Sequence, residues 1–194
     1  MKHATHLGIG LLAVLVACST SHSDGSVVGP VRGMTLAVNE AVFESAPSSD
    51  PSAFGAFIEM SSGSNLCHDP MVADADHPGK TNVNIYLFDS DGTSSRSPMG
   101  PGTYSAHEVL SSVPQGKSAW LTTTVLDSNC NVLPDETTSA QTGTVTLTAV
   151  SEGALSGLFD VTLNTNEHVT GSFEPSVCAT LYAQTGSTVP VSCR

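Results

Sequence analysis

The chain has 194 residues, with six Lys and Arg against eighteen Asp and Glu, a formal net charge of −12 at pH 7, and only 5% aromatic residues. Cations and rings this sparse exclude a nucleic-acid platform, which needs positive charge for phosphates and ring faces for bases. No glycine-rich loop follows a strand and opens a helix, so no nucleotide site is expected either.

In chain order, Met1 and Lys2 form a short basic head, Leu7 to Val16 an apolar run, and Ala17 precedes Cys18. This is the layout of a secretory signal over residues 1–17. The apolar run at ~1.5 Å per residue reaches ~15 Å, half of a ~30 Å hydrocarbon core, which argues against a spanning helix. Leu15-Val16-Ala17-Cys18 resembles the lipobox of bacterial lipoproteins. The resemblance implies a diacylglyceryl group on Cys18, cleavage before it and acylation of the new N-terminus, and lipid chains of this kind hold a protein at a bilayer without crossing it. Ser19 stands where Asp favours inner-membrane retention in that family, so the expected location is the outer membrane of a bacterial cell envelope. The alternative is an ordinary signal cut after Ala17.

Residues 18–33, rich in Ser, Gly and Pro, read as a lipidated flexible tether, which leaves residues 34–194 as one folded domain. In that domain no apolar period of 3.6 residues survives for three turns, and the best helical candidate, Ala106 to Val113, is interrupted by serines. Alternating Thr- and Val-rich segments separated by turn residues predict strands near 34–38, 54–61, 82–88, 103–106, 119–126, 144–150, 158–163 and 168–173. The fold class expected is all-β: a single antiparallel β-sandwich, with barrel-like closure as its variant. Val83, Ile85 and Leu87 form a buried face, with Asn82, Asn84 and Tyr86 on a wet one. Phe159, Val161 and Leu163 pair across a turn at 164–167 with Val169, Gly171 and Phe173. Trp120, alone of its type, reads as a core residue first and as a carbohydrate-stacking or partner-binding surface second.

Cys67, Cys130, Cys178 and Cys193 remain beyond Cys18, an even number that suits two disulfides in an exported chain. The preferred pairing is Cys67 with Cys130 and Cys178 with Cys193, the second closing a short loop. The segments GTVTLTAV, SGLFDVTL and HVTGSFEPSVC, with GTY at 102–104 and SSGSNLC at 61–67, resemble small bacterial lipoproteins with an all-β domain. The resemblance rests on strand and turn residues, so it bears on fold and carries no catalytic residue over.

Two acidic stretches are the candidate metal sites. Asp69, Asp74 and Asp76 suit calcium through oxygen, or zinc or another transition metal once His68 or His77 joins, and Asp89 with Asp91 forms a second fragment. Neither matches an established ligand spacing, and both read first as polar turns. No nucleophile elbow occurs, and His107-Glu108 lacks the second His of a zinc-protease motif. The functional expectation is a lipid-anchored, non-enzymatic envelope protein with a binding or structural role. It requires no cofactor, with calcium as the one candidate ion, and its partners are the membrane through Cys18 and envelope proteins or surface glycans. The alternatives are a cation-dependent adhesin or carbohydrate-binding module using loops 68–77 and 89–91, and a hydrolase with an unrecognised site.

Overall fold

The computed structural model describes residues 24–45, 55–64, 66–67, 79–90, 100–108, 115–129, 131–151 and 153–179. Within them the strands are β1 (Gly25–Val28), β2 (Pro30–Val31), β3 (Met34–Thr35), β4 (Glu40–Ser45), β5 (Ala56–Ser61) and β6 (Thr81–Ser90). There follow β7 (Gly102–Ala106), β8 (Gly116–Val125), β9 (Thr138–Ser151), β10 (Ala154–Leu163), β11 (His168–Phe173) and β12 (Ser176–Val177). Ten of these form one sheet in the order β1-β11-β10-β9-β7-β8-β6-β5-β4-β12, and β2 pairs with β3 as a separate hairpin. The protein is all-β, and the sheet is curled into a half-barrel.

Curling follows from the distribution of apolar side chains. Every long strand carries one mainly apolar face: Ile58, Ile85 and Leu121 align across β5, β6 and β8, and Val145, Phe159, Val161 and Leu163 line β9 and β10. A flat sheet would leave this face in water; rolled up, it closes on itself around one core that also takes in Val27 of β1 and Phe43 of β4. The two margins of the sheet approach each other, with the Met60 methyl of β5 against Gly25 of β1.

The strands β4, β5, β6 and β8 run as an antiparallel meander, and β9, β10 and β11 as another. The two meet directly only where Thr122 and Thr123 pair with Ser139 and Thr138, joined by a 2.6 Å hydrogen bond between the buried Thr123 and Thr138 hydroxyls. Elsewhere they splay apart, and β7 fills the wedge, parallel to β8 and antiparallel to β9.

The predicted hairpin forms, with Val161 opposite Val169 and Phe159 opposite Gly171. Four strands escape the sequence reading. The folded region begins ten residues before Met34, because β1, inside the segment read as tether, pairs with β11 from Gly25–Phe173 to Val28–Thr170. Strand β4 has no polar alternation to betray it, since Ala41 and Phe43 face the core while Val42 is buried on the other side. The outer face of β6 is not wet either: Asn82 is 9% exposed and Tyr86 half-buried.

The disulfide pairing is corrected. Cys67 bonds to Cys178, with their Cα atoms 5.3 Å apart and a separation of 111 positions in sequence. The bond ties the loop after β5 to the residue after β12, because the parallel pairing of β12 with β4 delivers Cys178 to the outer face of β4, where its N–H donates to Phe43 O. The expected partners Cys130 and Cys193 lie outside the described residues.

Candidate functional site

The two acidic stretches do not share a stem. Strand β6 separates them: residue 79 ends the first stretch at one end and Asp89 stands at the other, and ten strand residues at ~3.3 Å each put ~30 Å between the ends. Asp69, Asp74, Asp76, His77 and Asp91 lie outside the described residues, as does Cys18. Asp89 sits opposite Lys117 in the β6–β8 register. Among the described residues no group of three or more His, Cys, Asp or Glu is arranged to hold a metal. The stem of the first stretch is firmly built. Ser61 Oγ donates to Asn82 and accepts from the Gly63 N–H, Glu40 accepts from the Leu66 N–H at 3.1 Å, and Asn39 donates to Ser62 O.

On the outer face of the meander, Phe57, Tyr86 and Trp120 stand opposite one another on β5, β6 and β8. Their rings stack, with centroids 4.6 Å apart for Phe57–Tyr86 and 5.0 Å for Tyr86–Trp120. Phe57 and Tyr86 also pack with Val42, Leu66 and Cys178 in a second, smaller apolar cluster, against which the disulfide lies. Burial, with the Glu59 carboxylate adding to it, pushes the Tyr86 phenol above its usual pKa. Trp120 therefore points away from the barrel core expected for it, and its Nε1 is buried with no hydrogen-bond partner among the described residues. Because the rings stand stacked side by side, Tyr86 has both faces covered and Trp120 has one.

The outer face of β1, β11, β10 and β9 is different in kind. Across these strands Ser26, Ser172, Leu158 and Thr146 form one row, and Val28, Thr170, Asp160 and Thr144 the next. Between the rows lies an open depression of ≈ 340 Å³. Val28 and Leu158 stand out from it, 63% and 52% exposed, among hydroxyls and the Asp160 carboxylate. Beside it the His168 imidazole lies 2.7 Å from Asp160, both side chains largely exposed. Among the described residues no Ser or Thr hydroxyl bonds to His168. What the depression offers is hydrogen bonding beside two apolar side chains, with one negative charge: contacts suited to a neutral or cationic polar ligand.

Two further clusters stiffen the ends of the barrel. At one end the Glu167 carboxylate accepts from the Arg32 and Gly33 N–H groups at 2.9 and 2.7 Å, and from the Thr165 hydroxyl at 2.7 Å. Arg32 and Gly33 have φ values of 51° and 72°, a left-handed turn that aims both N–H groups at one acceptor. The Thr165 hydroxyl first, then these N–H groups and the Arg32 charge, hold the Glu167 carboxyl below its ordinary pKa, against burial. Arg32 also donates to Asp135 O. At the opposite end Tyr104 donates to Gly100 O at 2.7 Å, and Lys117 Nζ lies 5.2 Å from its ring centre while donating to Pro101 O.

The sequence reading missed the depression altogether. Its residues come from four strands, one of them unrecognised, and single Ser and Thr residues in a hydroxyl-rich chain carry no signal of their own. No family model matches this chain, and no curated protein or solved structure matches it.

Proposed function

We propose that the protein is a lipid-anchored cell-envelope protein with a non-catalytic binding role, held at the membrane through Cys18. The observation that carries this reading is the Leu15-Val16-Ala17-Cys18 motif behind a short basic head and an apolar run too short to span a bilayer. The Cys67–Cys178 bond supports it, because structural disulfides persist in oxidising compartments outside the cytoplasm. The hydroxyl-lined depression beside Asp160 is the surface best suited to contact a partner, an envelope protein or a neutral glycan, and the Ser19 position favours the outer membrane as the site of attachment.

The test is fractionation of the full chain in its bacterial host, alongside Cys18→Ala. The wild type is expected in the membrane fraction with a mass increased by a diacylglyceryl and an acyl group, and the variant is expected to leave that fraction or keep an uncut signal. A Cys18→Ala protein of signal-free length that stayed membrane-bound would overturn the anchor.

A further inference from the structure

The strand β1 begins seven residues after Cys18, and this places a tight bound on how an anchored domain is oriented. We infer that the domain is held with one particular end of its barrel toward the bilayer, so that the opposite end points away from it. The inference rests on the lipid anchor proposed above.

Asp24 sits at a defined corner of the barrel, where its carbonyl accepts the Glu174 N–H at 2.8 Å. Following the registers across the sheet, that end carries the start of β10 at Ala154, the end of β9 at Ser151, the start of β8 at Gly116 and the Gly100–Pro101 corner. The other end carries the turn at 164–167, the Arg32–Gly33 turn pinned by Glu167, the 3-10 turn Pro134–Glu136 and the Asp127 loop, whose carboxylate accepts the Asn129 and Asn131 N–H groups. The stem of the acidic stretch 68–78 is at this far end as well, since the Gly79 N–H donates to Asp127 O.

The chain from Cys18 to Asp24 spans six residue steps, so whatever its conformation it reaches at most ~22 Å at 3.3–3.6 Å per residue. From Glu174 back to Glu167 along β11 is a further seven residues, ~23 Å along the strand and somewhat less in height once the strand tilts in a curled sheet. For the far end to face the lipid, the connection would have to run almost fully extended down the side of the domain, at the cost of nearly all its conformational freedom, whereas the near end faces the lipid with no extension at all. The near end therefore faces the bilayer. Among the described residues its side chains are charged rather than apolar: Asp24, Glu44, Asp89 and Glu174 lie there with Lys117. The far end, rimmed by Arg32, Asp127, Asp135, Glu136 and Glu167, then points away from the bilayer, with the depression beside Asp160 on the side wall between the two ends.

The experiment uses the full lipidated protein, purified from membranes and reconstituted into vesicles carrying an acceptor dye on a small fraction of the lipid headgroups. A donor dye is placed through a non-canonical amino acid at Ala154 or at Asp135, both exposed and at opposite ends. Energy transfer from Ala154 is expected to exceed that from Asp135 roughly twofold or more, as a height difference of ~30 Å requires. Inserting twenty Gly and Ser residues before Asp24 lengthens the reach by ~70 Å and should bring the two values together. Equal or reversed transfer in vesicle-bound protein with the native connection would overturn the orientation while leaving the anchor intact. Protein that fails to float with the vesicles would overturn the anchor, and the orientation with it.

Discussion

Tyr104 shows how far a single residue's chemistry depends on its position. The side chain is wholly buried on β7, in the wedge between the two meanders, with its hydroxyl bonded to Gly100 O. Burial, with the Asp89 carboxylate adding to it, pushes its pKa up to about 12 from the ordinary 10.0. The neutral phenol is thus favoured in the native state, and its contribution to stability is complete below about pH 10 and is lost as the pH rises through about 12. In an absorbance titration of the phenolates, Tyr104→Phe is expected to remove a step near pH 12, and its stability should fall less steeply than the wild type's above pH 10. Equal alkaline slopes for the two proteins would place the sensitivity elsewhere. Nothing around Gly102-Thr103-Tyr104 in the sequence distinguishes this tyrosine from Tyr86, which ends up half-buried on the opposite face in a ring stack. Trp120 is the same lesson in reverse: a large ring in an apolar strand reads as core, yet the alternation along β8 gives the core to Leu121 and turns Trp120 outward.

At the scale of the element, the β10–β11 hairpin is the part most legible in the sequence, because its alternation is strict and its turn residues are conspicuous. The structure adds the reason for its glycines. Gly171 faces Phe159 across the pair, and Gly157 faces Phe173, so each aromatic ring lies over a glycine on the partner strand. A methyl group at Gly171 would run into the Phe159 ring and the Ser26 carbonyl of β1. Gly171→Ala is therefore expected to destabilise the protein by about 1–3 kcal/mol, the usual effect of overpacking, measurable by urea denaturation. An unchanged midpoint would mean that the ring has room to move. Strands β1 and β4 were not legible for opposite reasons. Gly25-Ser26-Val27-Val28 is too polar to look like a strand until β11 lies beside it, and Ala41-Val42-Phe43 is apolar on both faces because the outer cluster covers one of them.

Across the whole molecule, the Cys67–Cys178 bond closes a loop of 111 residues and joins the two regions that cover the outer apolar cluster. Replacing both cysteines by Ala is expected to cost about 2–5 kcal/mol, read as a lower denaturation midpoint, and the wild type under reducing conditions should approach the same value. A loss below ~1 kcal/mol would mean that the outer cluster holds without its tie. The sequence by itself determined the class of the fold, the β10–β11 hairpin, the excess of negative charge and the motif at Cys18, because each is written in neighbouring residues as period, turn chemistry or composition. Only the tertiary structure decided which cysteines meet, that residues 25–28 belong to the sheet, that the two acidic stretches leave from opposite ends of β6, and that residues from four strands line one depression. These depend on strand order and on the curl of the sheet. Both arise from how apolar faces far apart in the chain come together to leave water, a balance that no local stretch of residues contains.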